Sequence, residues 1–282
     1  MSNRLLLTGG TGFVGRNIRP LLECDFDVVA PSRAELNLLD EDAVKSFVDR
    51  GNFDVVVHSA NPTPAKNPLD DATRMTTDSL RVYFNLRRCS SAFGRMFYFG
   101  SGAEYDKRRD ICSITEDQIG ERIPADDYGF AKYVMNEDAR HSDNIVNLRL
   151  FGCYGPTDAK SKFIRDAIDC CLENRAITIR QDCYFDYLFV EDVAPVITAL
   201  WDKPLARHDY NLCSGRRIAL SEIAQKVACQ MGNPLPAQIL SLGLNREYTA
   251  SNAALRAELP PDLFFRDIDE GIAAQIAWQR QA

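Results

Sequence analysis

The chain has 282 residues, enough to bury one large core or two smaller ones. Its 45% apolar and 26% charged residues are ordinary values for a soluble globular protein. A formal net charge of −7 argues against a dedicated nucleic-acid binder, because a phosphate backbone demands a basic face, whereas an anionic metabolite needs only a few local cations.

Leu5-Leu6-Leu7 reads as a buried first strand, since the apolar run is too short for a signal peptide and nothing in the chain approaches a membrane span. A glycine turn and a helix over about 12–22 follow, then a strand at 27–30 and a helix at 40–48 with Asp40 as its N-cap. Strands at 54–58 and 95–99 flank a long helical stretch, roughly 71–92. Asp126-Asp127 caps a helix over 128–139, and 144–150 returns to strand. Near-continuous apolar strands alternating with helices imply a parallel sheet covered on both faces.

After Gly155-Pro156 the texture changes. Helices are expected at 162–173, 192–201, 221–231 (capped by Ser221) and 269–278, with strands at 176–180, 186–190 and 210–212. This half reads as a smaller, less regular α/β region, interleaved with the first rather than folding alone. The nine cysteines show no CxxC or Cys/His spacing, and there are three histidines. Buried small hydrophobes in a reducing cytosol are the expectation, with no metal site and a cytoplasmic location.

Thr8-Gly9-Gly10-Thr11-Gly12-Phe13-Val14-Gly15 follows a strand and opens a helix. Glycines at three-residue intervals allow a tight turn, close backbone approach to a pyrophosphate, and close helix–strand packing. The helix N-terminus adds unpaired N–H groups and a positive dipole end. At the end of the second strand an acid would hold a ribose 2′-OH, but here Pro31-Ser32-Arg33 stands, and the first acid is Glu35. A hydroxyl and a guanidinium suit a 2′-phosphate, so NADP(H) is favoured and NAD(H) is the alternative. The competing reading of Arg33 is a solvated loop residue.

Tyr128-Gly129-Phe130-Ala131-Lys132 stacks a phenol and an ammonium at i and i+4 on one helix face. A phenol titrates near ~10, and a fixed cation beside it is expected to lower that value, so the pair can exchange a proton with a carbonyl or alcohol. Ser101 ends a strand in a small-residue turn, where its hydroxyl can bond the reacting oxygen. Ser59 and Ala60 end another strand and should line a dinucleotide, while His58 has a competing reading as a packed histidine.

These motifs, with LRLFGCYGP at 148–156 and FVEDVA at 189–194, occur in the order found in extended short-chain dehydrogenases/reductases, the NAD-dependent epimerase/dehydratase family. The resemblance spans nearly the whole chain. It implies a Rossmann doubly wound parallel sheet over 1–155, a smaller substrate-binding α/β region over 156–282, and a catalytic Ser101/Tyr128/Lys132 triad. Expected cofactor contacts are Gly9, Gly12, Phe13, Val14 and Gly15, then Ser32, Arg33 and Asp40, then Ser59, Ala60, Tyr128 and Lys132. The stretch 33–40 is similar to that of GDP-fucose synthases and dTDP-4-dehydrorhamnose reductases, which use NADPH on sugar nucleotides. By resemblance a homodimer is expected through the helices at 71–92 and 128–139, with Leu80, Phe84 and Tyr83 as candidates for its apolar seam.

The chain also departs from its relatives. The family's 4,6-dehydratases carry an Asp-Glu pair where Gly102 and Ala103 stand, so dehydration lacks its carboxylates. GDP-fucose synthases have a cysteine at the place of Ala103. Many relatives bind the diphosphate with an arginine where Phe185 stands, and Lys162, Arg165 and Arg180 are the candidates to replace it. The expectation is a reductase of a keto-sugar nucleotide, a 4-keto-6-deoxyhexose by resemblance. A nucleotide-sugar epimerase that retains NAD is the first alternative and a non-catalytic dinucleotide sensor the second. No nucleic-acid or membrane partner is expected.

Overall fold

Leu5, Leu6 and Leu7 are all fully buried, which one strand achieves only if both faces of its sheet are covered. The computed structural model describes residues 3–62 and 70–281, and places these leucines on β1 (Asn3–Thr8). The chain continues through α1 (Phe13–Leu22), β2 (Phe26–Val29), α2 (Glu41–Gly51), β3 (Phe53–His58), α3 (Met75–Arg87) and β4 (Phe93–Ser101). Next come β5 (Ile111–Ile114), α4 (Asp127–Ala139), β6 (Ile145–Leu150), β7 (Gly152–Tyr154), α5 (Phe163–Leu172), β8 (Thr178–Asp182), β9 (Tyr184–Phe185) and β10 (Tyr187–Phe189). The last elements are α6 (Val193–Leu200), β11 (Asp209–Leu212), β12 (Ile218–Ala219), α7 (Leu220–Met231), β13 (Gln238–Leu244), β14 (Tyr248–Ala250), α8 (Ala253–Glu258) and α9 (Ile268–Gln279).

Six strands form one parallel sheet in the order β2-β1-β3-β4-β6-β11. Alternate side chains divide between its faces. Leu5, Leu7, Val55, Val57, Phe97 and Phe99 pack against α1 and α6, whereas Leu6, Val56, Met96 and Tyr98 pack against α2, α3 and α4. The order reverses at β1, with β2 on one side and β3 on the other, which opens a crevice at the carboxyl ends of β1 and β3. This is the doubly wound Rossmann arrangement.

The smaller region joins a four-stranded sheet, β12-β9-β14-β5, to the packed helices α5, α7 and α9. It interleaves with the first region. β5 comes from before residue 155 yet pairs with β14, and β11 comes from beyond it yet closes the main sheet.

Three local expectations need correction. The helix expected over 71–92 is shorter: α3 is flanked by 3-10 turns at Ala72–Arg74 and Ser90–Ala92. Its C-terminal end tightens as Cys89 N bonds Leu86 O at 2.9 Å. Ser221 does not cap α7 through its own side chain, because its hydroxyl donates to Asp182 Oδ2 at 2.6 Å. Asp182 Oδ1 also accepts from Ser221 N, so a carboxylate from β8 caps the helix. Tyr83 is not available for a dimer seam: it is fully buried, edge-on to Tyr98 at 5.1 Å, and it donates to Asp138 on α4. Among the described residues no helix is long and apolar enough to cross a membrane.

Candidate active site

The turn after β1 is shaped by what its glycines leave out. Gly9 has φ +71°, a left-handed conformation, and an ideal Cβ on it would stand 2.6 Å from Ala60 N. A Cβ on Gly15 would stand 2.3 Å from Gly9 O. The backbone of α1 therefore lies directly against the turn, and Gly12 N closes it by donating to Gly9 O at 2.9 Å. Gly12 caps α1 with no side-chain hydrogen bond, so the first-turn N–H groups face the crevice.

A cavity of about 830 Å³ opens there, within the range for cofactor sites. Of the expected contacts, Gly9, Gly12, Phe13, Val14, Ser59, Ala60, Arg33 and Tyr128 line it. The bare glycine cradle, the uncapped helix end and this volume fit a dinucleotide. Gly15 supports the cradle from behind. Ser32 and Asp40 are not among the lining residues. Ser32 is exposed and exchanges hydrogen bonds with Glu35, and Asp40 caps α2 by accepting from Ala43 N at 3.0 Å. Arg33 reaches the cavity with Nη1 on Asp70 Oδ1 at 2.6 Å.

Asp126 accepts from Gly129 N at 3.0 Å and starts α4, which carries Tyr128 to the cavity wall and Lys132 one turn below it. Ser101 arrives from the end of β4, close enough for its hydroxyl to lower the Tyr128 phenol. Ser101 Oγ also accepts from Ala103 N at 3.2 Å, capping the 3-10 turn Gly102–Tyr105. Buried Lys132 donates to Phe99 O at 2.9 Å, with Nζ 6.0 Å from the Tyr128 ring centre. The structure thus brings Ser101, Tyr128 and Lys132 together.

The electrostatics correct one expectation. Tyr128 lies above the usual phenol value, because burial raises it, and the group that draws it back is the Ser101 hydroxyl. Lys132 points to the Phe99 carbonyl and is itself pushed down to about 8 by burial, with the Glu104 charge opposing that fall. His58 is pushed to about 3 by burial and by the Lys132 charge, and its Nδ1 bonds Thr8 Oγ1 at 2.8 Å. It is a packed, neutral histidine.

Beneath the turn lies a buried ionic cluster that the sequence did not disclose. Arg149 Nε donates to Glu104 Oε2 at 2.7 Å and its Nη2 to Asp209 Oδ2 at 2.8 Å. Glu104 also accepts from Ser101 N at 3.0 Å and from Asn147 Nδ2. Burial raises the Glu104 carboxyl while Arg149 works to lower it. The cluster holds the backbone of Ser101 in place, and only its neighbour in sequence, the GS turn, was a visible signal.

The candidate substrate cations lie elsewhere. Arg165 donates to Asp158 O at 2.5 Å and stands 5.2 Å from the Trp278 ring, so its guanidinium is held within the smaller region. Lys162 and Arg180 are exposed, and neither lines the cavity. Phe185 stacks on Tyr187 at 5.4 Å and packs on Tyr248 at 5.3 Å. Arg16 and Thr157, which sequence reading passed over, do line the cavity. Asn17 fastens the Thr157 loop to α1 through bonds to Pro156 O and Thr157 Oγ1 at 2.8 and 3.1 Å.

A family model described as the NAD dependent epimerase/dehydratase family matches residues 5–213. An ADP-L-glycero-D-manno-heptose-6-epimerase of Pseudomonas paraeruginosa is 26% identical over 328 aligned positions, covering 97% of this chain and 98% of the relative. The fold is similar to that of a GDP-L-fucose synthetase from Naegleria fowleri, with TM-score 0.85, 16% identity and coverage of 99% and 94% of the two chains. It is also similar to a GDP-mannoheptose C4 reductase from Campylobacter jejuni with NADP bound, with TM-score 0.81, 16% identity and 99% coverage of each chain.

Proposed function

The chain belongs to the NAD dependent epimerase/dehydratase family, and on that premise we propose that it is an NADP-dependent reductase of a keto-sugar nucleotide, a 4-keto-6-deoxyhexose in particular. The observation that carries this reading is the convergence of Ser101, Tyr128 and Lys132 beside the glycine-cradled cavity. A bound nicotinamide dinucleotide supplies the hydride. The chain's own residues position the reactants and handle the proton.

Tyr128, at the cavity wall, donates its proton to the carbonyl oxygen as negative charge develops there. Ser101 donates to the same oxygen or to the phenol, and orients the substrate. Lys132 is held by Phe99 O below the phenol, and its remaining protons are free to hold a ribose. Gly9, Gly12 and the first turn of α1 take the pyrophosphate, and Arg33 takes a 2′-phosphate in exchange for Asp70.

The heptose-epimerase relative supports a second reading, an epimerase that retains its cofactor and returns the hydride. Turnover of a panel of nucleotide keto-sugars separates the two. The reductase consumes NADPH one for one with substrate. Conversion of sugar with no net change in nicotinamide absorbance would move the assignment to the epimerase.

A further inference from the structure

Among the described residues, the charged side chains that line the cavity are those of Arg16, Arg33, Asp70 and Asp78. Arg16 is engaged at the glycine turn, with Nη2 on Thr11 O at 3.1 Å. Asp78 pairs at 3.3 Å with Arg74, which does not line the cavity. Arg33 and Asp70 are therefore the one ion pair among the described residues with both members on the wall.

The two come from separate stretches of the chain. Arg33 follows β2, whereas Asp70 lies between β3 and α3. Arg33 Nη1 donates to Asp70 Oδ1 at 2.6 Å. The Asp70 side chain is 10% exposed against 45% for Arg33, so the carboxylate is the sheltered member and the less screened by solvent. Its neighbour Asp71 has a different use: exposed, it caps the 3-10 turn before α3 by accepting from Thr73 N at 2.8 Å.

The end of β2 is where a dinucleotide site chooses between a 2′-hydroxyl and a 2′-phosphate. NADH leaves Arg33 to Asp70, since a neutral hydroxyl has no charge with which to compete for a guanidinium. NADPH brings a phosphate of charge near −2, which must take the guanidinium from a carboxylate already bonded to it. Both anions cannot rest on Arg33 at full strength, because like charges a few ångströms apart repel. We propose that Asp70 is a specificity-determining residue for the cofactor: it competes with the 2′-phosphate for Arg33 and so sets how far NADPH is preferred over NADH. The arginine supplies the preference and the aspartate holds it down. The inference rests on the reading of Arg33 as the 2′-phosphate contact and is independent of the sugar.

The experiment measures dissociation constants of NADPH and NADH for the full-length protein by fluorescence titration at one fixed, low salt concentration. Its readout is the NADH constant divided by the NADPH constant, in which any change common to both cofactors cancels. Asp70→Asn keeps the side-chain shape and removes the charge. It is expected to raise the ratio about two- to fivefold, the weight of a partly exposed ion pair. Asp71→Asn removes the same charge one residue away and is expected to leave the ratio unchanged. Arg33→Ala is expected to lower the ratio, and Asp70→Asn added to it is expected to change the ratio less than it does in the native chain.

An unmoved or lowered ratio in Asp70→Asn overturns the proposal. So does an equal rise in Asp71→Asn, because the local charge and not the contact would then be acting. An equal rise with and without Arg33 overturns it too, since Asp70 would then act without the arginine. An Arg33→Ala chain that keeps the native ratio strikes the 2′-phosphate reading itself, and the inference with it. A lowered ratio there beside an unmoved one in Asp70→Asn strikes the inference alone.

Discussion

The Lys132 ammonium donates to the Phe99 carbonyl at 2.9 Å. This bond ties α4 to the end of β4 and keeps the cation buried below Tyr128, 6.0 Å from the centre of its ring. Lysine and tyrosine share a helix face, yet it is the serine at the strand end that lowers the phenol against burial. On the proposed reading, Tyr128 and Ser101 carry the proton, and Lys132 supplies anchorage.

Tyr128→Phe is expected to keep the fold and NADPH affinity while lowering turnover about 10²–10⁴-fold, the usual weight of a positioned general acid. Dissociation constants from fluorescence titration, set beside steady-state rates, check this. A variant with near-wild-type turnover would refute the role of the phenol.

Lys132→Met is expected to stabilise the protein while impairing it. Lys132 has a folded value of about 8, below the value near ~10.4 of an exposed lysine, so the folded chain binds fewer protons between those limits. The native lysine therefore costs stability in full below about pH 8, and the cost fades as pH rises towards ~10.4. The gain in Lys132→Met at pH 7 is on the order of 3 kcal/mol as an upper bound, reduced by loss of the bond to Phe99 O. Urea unfolding at neutral and alkaline pH measures it. A variant less stable than the native protein at pH 7, with no trend in pH, would contradict the assignment.

Arg33→Asp is expected to reverse the cofactor preference. A charge-assisted contact to a 2′-phosphate contributes roughly 1.5–3 kcal/mol, or about one to two decades in affinity. The carboxylate repels that phosphate and accepts from a 2′-OH. Competitive binding of NADPH and NADH to both proteins tests this, and a native protein that prefers NADH would remove the basis of the NADP assignment.

Gly9→Ala is expected to weaken dinucleotide binding and cost about 1–3 kcal/mol of stability, since an alanine there adopts a left-handed conformation and meets Ala60 N at 2.6 Å. Gly232→Ala, also at positive φ but with open space around its Cβ, serves as control. It is expected to lose stability without losing cofactor affinity. Equal losses of binding in both would show that the cradle at Gly9 has no special role.

A homodimer through α3 and α4 remains the expected assembly. Phe130 on α4 is 42% exposed, and Leu80 and Phe84 on α3 are partly exposed. Light scattering of Phe130→Glu is expected to show monomer where the native chain shows dimer. A native monomer at micromolar concentration would dispose of this surface.

The chain's alternation of apolar runs and helical periods made the parallel sheet legible, because each strand buried on both faces is written in consecutive residues such as Val55-Val56-Val57. The same holds for the glycine turn and the Tyr128/Lys132 pair, whose geometry follows from backbone conformation and helical pitch over eight residues or fewer. Strands β5, β13 and β14 were not legible. They are short or wholly exposed, and their pairing joins residues far apart, as when Ser113 N bonds Thr249 Oγ1.

Sequence by itself therefore determined the doubly wound sheet, the dinucleotide crevice and the identity of the Ser101, Tyr128 and Lys132 set. Tertiary structure alone decided how that set is charged and aimed. The carboxylates on Arg149 come from Glu104 and Asp209. No local period links such positions. Hydrogen-bond valence and the cost of burying charge act only once the chain has folded, when groups remote in sequence have lost their water and must satisfy one another.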